Sequence, residues 1–133
     1  LIMNEDFLYY LWRHRFSGRT MAGTQNENIT VLNPGERNHN SGPDFFNGKI
    51  KIGDTLWAGN IEIHVRSSDW YRHHHQNDTH YDNIILHVVY EDDKPVFRKN
   101  GEPVPTLVLK GNFDEKLYEK YRGFLLSKQW IPC

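Results

Sequence analysis

Between positions 55 and 66 the apolar residues Trp57, Ile61, Ile63 and Val65 share one parity, while Asn60, Glu62, His64 and Arg66 share the other. Successive side chains of a strand point to opposite faces, so this alternation commits the segment to a β-strand with one packed face and one face that presents polar groups. Ahead of it, Ile50 and Ile52 alternate with Lys49 and Lys51, and Gly53-Asp54 supplies the hairpin turn between the two runs. Further on, Ile84-Ile85-Leu86-His87-Val88-Val89 is apolar at nearly every position and reads as a strand buried on both faces. Ser68-Asp69 opens a short helix predicted to about Gln76, and Asn77-Asp78 turns the chain. Strand, helix and strand at this spacing fit a right-handed crossover between parallel strands.

The flanks add helices. Asn4 caps a predicted helix over 4–16, in which Glu5 and Asp6 suit the positive end and Phe7, Leu8, Leu11 and Trp12 recur at helical spacing. A loop is predicted over 17–28, a short strand over 29–32, and a polar loop over 33–43 long enough to be functional. Residues 95–98 and 105–109 flank Lys99-Asn100-Gly101-Glu102 as a hairpin, and Asn112 caps a last helix reaching about Leu126. The fold class is α/β (α+β), a mixed central β-sheet flanked by helices. At 133 residues the expectation is one domain with one core.

Sixteen Lys and Arg against 17 Asp and Glu leave a formal charge of -1, so a nucleic-acid footprint has to be a local patch. The single cysteine, Cys133, excludes a disulfide framework and a Cys-based zinc finger, and makes a reducing compartment the expectation. No run approaches the roughly 18 apolar residues of a membrane span, and the start lacks the pattern of a signal peptide, so a soluble, cytoplasmic protein with no membrane partner is expected. Met3 reads as a natural start and 129–133 as an unfinished ending, which suggests the N-terminal piece of a longer chain.

Three constellations carry candidate chemistry. Asp44 opens one strand of the hairpin, and Glu62 and His64 share a face of the other. Two carboxylates meeting on a sheet repel unless a cation lies between them, and oxygen ligands suit Mg2+ or Mn2+. Such an ion polarises a phosphodiester and lowers the pKa of bound water. The same residues also fit a Pro-Asp turn and a solvated hairpin face. The second constellation, His73, His75, Asp78 and His87 within a His-rich stretch, offers imidazoles for Zn2+, against the alternatives of a solvated surface and a satisfied core histidine. The third is a nucleic-acid-binding rim of Arg66 and Arg72, with Trp70 and Tyr71 interleaved and Arg37 contributing from its loop, unless the aromatics simply pack the short helix.

Gly42-Pro43-Asp44-Phe45, the run from Trp57 to His64, the run from Ser68 to His75, Asp78, Tyr81 and Leu86-His87-Val88-Val89 together resemble the domain of unknown function 2851 family over about residues 5–133. More distantly, Asp44 followed by Glu62-Ile63-His64 in an αβββαβ order resembles the PD-(D/E)XK nuclease-like superfamily. That resemblance implies a restriction-endonuclease-like core, metal-binding Asp44 and Glu62, an accessory Glu5 or Asp6, and hydrolysis of DNA or RNA. It departs at His64, which stands where the superfamily has lysine. His64 would then be a base, a further metal ligand, or neither. Lys49 or Lys51 would be a relocated ammonium only if a bulge brings it to the same face. The alternatives are a Zn2+-binding His-rich hydrolase or module, and a catalytically inactive nucleic-acid-binding domain.

Overall fold

A computed structural model describes residues 2–72 and 79–130, with the side chains of His80 and of residues 127–130 excepted. Helix α1 (Glu5–Arg15) begins where the Asn4 side chain accepts the Phe7 N–H at 2.9 Å. Glu5 and Asp6 lie at its positive end and Arg13, His14 and Arg15 at its negative end. Phe7, Leu8, Leu11 and Trp12 form its fully buried stripe against the sheet.

The sheet contains β1 (Thr20–Ala22), β2 (Asn28–Asn33), β3 (Glu36–Arg37), β4 (Phe45–Ile52), β5 (Thr55–Arg66), β6 (Ile84–Glu91) and β7 (Thr106–Val108). Its spatial order is β1-β2-β4-β5-β6-β7, with β3 beside the start of β4. The pairs from β1 to β5 are antiparallel, and β5, β6 and β7 run parallel. A short α2 (Asp69–Arg72) and a 3-10 turn at Thr79–Tyr81 stand in the β5–β6 connection, and α3 (Lys116–Trp130) closes the described chain. The β4–β5 hairpin, the parallel β6 and the flanking helices are those the alternation predicts.

The differences have local causes. β1 and β3 lie inside predicted loops, because strands of three and two residues are too short to show a period. The expected C-terminal hairpin is reduced to one bridge, Phe97 to Pro103, since Pro95, Pro103 and Pro105 have no N–H to give a ladder. Instead β7 joins β6 as a parallel edge strand. The last helix starts beyond Asn112, which spends its side-chain amide on the Val108 carbonyl, and Asp114 Oδ1 accepts the Lys116 N–H at 3.0 Å.

The main core joins α1, the sheet and Tyr118 of α3. A smaller second cluster unites Trp70, Ile84, Val96 and Val104. Trp70 is therefore packing rather than rim, and its ring lies 5.0 Å from that of His87. The expectation that the polar face of β5 is solvated is corrected: Glu62 is 3% and His64 2% exposed. A strand paired in parallel and overlaid by its crossover is covered on both faces.

One glycine fixes the geometry near the eventual site. Gly35 joins β2 to β3 at φ 90°, and a Cβ there would stand 2.6 Å from the Phe46 carbonyl oxygen. Gly35→Ala is expected to cost about 2 kcal/mol or more, seen as a fall of roughly 5–10 °C in Tm. An unchanged melting curve would show that the β2–β3 turn relaxes freely.

Candidate functional site

β4 starts at Phe45 opposite Ile61, while β5 continues to Arg66, so the ladder between them ends where Asp44 stands. Asp44 Oδ2 accepts the Ile63 N–H at 2.8 Å, in the place of a missing strand partner. Glu62 Oε1 accepts the Asp44 N–H at 3.2 Å. The two carboxylates are thus neighbours across the end of an antiparallel pair. Between Phe45 and Gly48 the register shifts, with Asn47 at φ 59°, and this bulge resets the parity of the strand. Lys49 and Lys51 consequently share the sheet face of Glu62. Lys49 nevertheless pairs with Ala58, four positions along β5 and about 13 Å away, beyond the reach of a lysine side chain.

The segment leading into Asp44 is held by Asn38, which is buried and donates from Nδ2 to the carbonyls of Ser41 (3.1 Å) and Pro43 (2.9 Å). Arg37 Nη1 donates to the Asn38 carbonyl and, at 3.0 Å, to that of Asp44. Its guanidinium lies 4.0 Å from the centre of the Tyr9 ring. The Tyr9 hydroxyl stands 3.3 Å from Asp44 Oδ1 and 3.4 Å from Glu5 Oε1. Of the two acids expected from the first helix, Glu5 is the one on this side.

Burial sets the protonation of the pair. Loss of solvent, then the hydrogen bond and charge of Glu62, push Asp44 up to about 8, against the Ile63 N–H and Arg37. Burial pushes Glu62 up to about 7, opposed by its hydrogen bonds from Asp44 and by Arg37. Burial and the charges of Asp44 and Glu5 drive Tyr9 far above the ordinary phenol value, so its hydroxyl stays a donor. The pair holds a proton near neutrality, because two adjacent carboxylates with little access to solvent do not both ionise.

Behind Glu62, His64 Nδ1 and His87 Nε2 are 2.7 Å apart, and His64 Nε2 lies 3.9 Å from Glu62 Oε2. Assigning the tautomers from these partners, His87 Nε2–H donates to His64 Nδ1 and leaves the His64 Nε2–H aimed at the carboxylate. His87 is thereby joined to the carboxylate site. His73, His75 and Asp78 lie outside the described residues. Among the described residues no three His, Cys, Asp or Glu side chains are gathered closely enough to hold a metal ion by themselves. Arg72 is 73% exposed and paired with Asp69 at 3.1 Å, and Arg66 stands four positions beyond Glu62 on β5, so neither is drawn to the carboxylates. Arg37 is.

The structure brings together Asp44, Glu62, His64, His87 and Arg37, and adds Tyr9 and Asn38, which sequence reasoning passes over. Tyr9 sits one turn after Glu5 at the margin of the apolar stripe of α1, a polar pair at i, i+4 that is the only trace of its role. Among the described residues no helix is long and apolar enough to cross a membrane. No curated protein and no solved structure matches the chain. The profile of the DUF2851 family, described as a protein of unknown function, matches residues 5–133. A match over nearly the whole length, covering α1, the full sheet and α3 together, shows that this chain belongs to the DUF2851 family.

Proposed function

We propose that this protein is a divalent-cation-dependent phosphodiesterase acting on nucleic acid at Asp44 and Glu62. One observation carries the reading. Half-buried Asp44 and buried Glu62 are neighbours at the end of the β4–β5 ladder, at a point where a proton, or a cation in its place, is needed between them. Two carboxylates without a third protein ligand suit Mg2+ or Mn2+, which complete their shells with water and substrate phosphate, better than Zn2+, which favours a closed set of nitrogen and sulfur donors. Further support comes from the element order, a helix, five antiparallel strands of which β2, β4 and β5 are the long ones, a crossover and a parallel strand, with Asp44 at the start of β4 and Glu62 inside β5. The PD-(D/E)XK likeness expects one helix and three strands before the crossover, so β1 and β3 would be additions to that core.

In this reading a bound cation would polarise the phosphodiester and acidify a water beside Asp44 and Glu62. Arg37, already fixed over Tyr9, neutralises phosphate charge at the mouth. His64, buried behind Glu62 and backed by His87, directs its Nε2–H at the carboxylate and helps hold Glu62 in place, while no lysine stands at its position.

The direct test is cleavage of labelled single- and double-stranded DNA and RNA in Mg2+, Mn2+ or EDTA. Cutting that requires the cation and drops about 100-fold or more in Glu62→Gln is expected. Intact substrates under every cation would leave the carboxylate pair as a cap on β5 and favour a non-catalytic nucleic-acid-binding domain.

A further inference from the structure

Three neighbouring hollows with shared walls lie along α1. The first, of about 420 Å3, is bordered by Arg15, Arg19, Lys116 and Lys120. Leu117 and Lys120 carry it into a second of about 370 Å3, walled by Tyr10, Tyr121 and Phe124. Tyr10 and Tyr121 are shared in turn with a third of about 360 Å3, where Arg13, His14, Arg37 and His39 stand. Its far wall includes Tyr9 and Arg37, two of the groups that touch Asp44. The groove therefore leads from the gap between the end of α1 and the start of α3 to Tyr9 and Arg37, beside Asp44.

Its charge is opposite to that of the remainder of the molecule. Six arginines and lysines line it against two aspartates, which leaves ten against fifteen elsewhere in the chain. Among the described residues Arg13 and Lys120 make no hydrogen bond or ion pair. Clustered cations that outnumber the acids beside them repel one another, and an anionic ligand lowers that cost.

Between the two cationic ends lie rings. Tyr10 and Tyr121 stack at 5.7 Å with 28° between their planes, the His14 ring is 5.3 Å from Tyr10, and Phe124 is 57% exposed. Cations alternating with half-open aromatic faces match a chain of phosphates carrying unstacked bases. A duplex keeps its base faces hidden and has no use for the rings. An acidic peptide has charge but no flat surfaces to lay on them.

We propose that a single-stranded nucleic acid lies along this groove between α1 and α3, its phosphates on the arginines and lysines and its bases against Tyr10, Tyr121 and Phe124. The proposal rests on the phosphodiesterase reading for what the strand meets at its end, and it names single strands as the substrate class.

Binding of a labelled oligothymidylate of about 15 nucleotides, followed by anisotropy in EDTA so that no cutting intervenes, tests it. Arg15→Glu and Lys120→Glu change exposed side chains and are expected to weaken binding about tenfold or more, with a shallower salt dependence. Phe124→Ala should weaken it about fivefold or more without changing the salt slope. Lys99→Glu, on the turn between β6 and β7, should bind as the parent does. Absence of binding, equal binding of a duplex of the same length, displacement by polyglutamate on equal terms, or parental affinity in the charge-reversed variants would each overturn the proposal. An oligonucleotide held in EDTA but left uncut with every cation would keep the groove and remove the phosphodiesterase reading.

Discussion

Asp44→Asn is expected to make the protein more stable at pH 8 and, in the same molecule, to abolish cation-dependent cleavage. Asparagine reproduces what protonated Asp44 does: its carbonyl accepts from Ile63 N–H and its amide donates towards Glu62, with no charge to desolvate. Both carboxyls titrate higher in the fold, at about 8 and about 7, than at their ordinary values of 3.8 and 4.5. Below about pH 4 folded and unfolded chains are both protonated and the pair carries no penalty. From there to about pH 8 the unfolded chain gives up protons that the folded chain keeps, so stability falls as pH rises, and above that it levels off. Because one shared proton relieves both groups, the fall is about 2 to 4 kcal/mol, at about 1.4 kcal/mol per pKa unit. Urea unfolding at a series of pH values checks the sign: the parent should weaken between pH 4 and pH 8, while Asp44→Asn should lose most of that slope. Stability that rises over this range would mean that the carboxylates are ionised in the fold and that Arg37 outweighs burial. The loss of cleavage, about 100-fold or more, would then be a loss of oxygen charge at the site and not of folded protein.

How far the sequence reveals this site depends on the range over which each residue acts. The β4–β5 hairpin follows from period-two patterning and a Gly-Asp turn, both local, and the pairing of Asp44 with Glu62 follows from the hairpin. The bulge at Asn47 is invisible in composition, since asparagine adopts positive φ in many turns, yet it decides which face Lys49 presents. The burial of Glu62 and His64 belongs to a strand paired in parallel with β6 and followed by a crossover, a tertiary setting that alternation within β5 does not encode. The meeting of His64 with His87 is set by the parallel register, in which Glu62 lies opposite His87. The basic groove was the least legible feature: its cations come from the last turn of α1, the start of β1, the β2–β4 connection and the start of α3. Arg66 and Arg72, which do stand near one another in sequence, do not line it.

Phe7→Ala is expected to cost about 3 to 5 kcal/mol, the range for emptying a fully buried aromatic position. The ring of Phe7 is the hub of the α1–α3 junction, with centroids at 4.6 Å to Tyr118, 5.1 Å to Tyr121, 5.7 Å to Phe113 and 6.2 Å to Tyr10. Tyr118 in turn donates to the Ile2 carbonyl at 2.6 Å and accepts from Asn4 Nδ2 at 3.3 Å, so the junction also holds the cap of α1. Its partners Tyr10 and Tyr121 floor the basic groove, and the space left by the ring would let both tilt inward. Urea unfolding should show the stability loss, and at low urea, where the variant is still folded, oligothymidylate affinity in EDTA should fall while the response to pH set by Asp44 and Glu62 persists. A stability loss below about 1 kcal/mol would mean that α3 does not close over α1 through this ring. Unchanged affinity in a destabilised variant would separate the rings of the groove from the core that supports them.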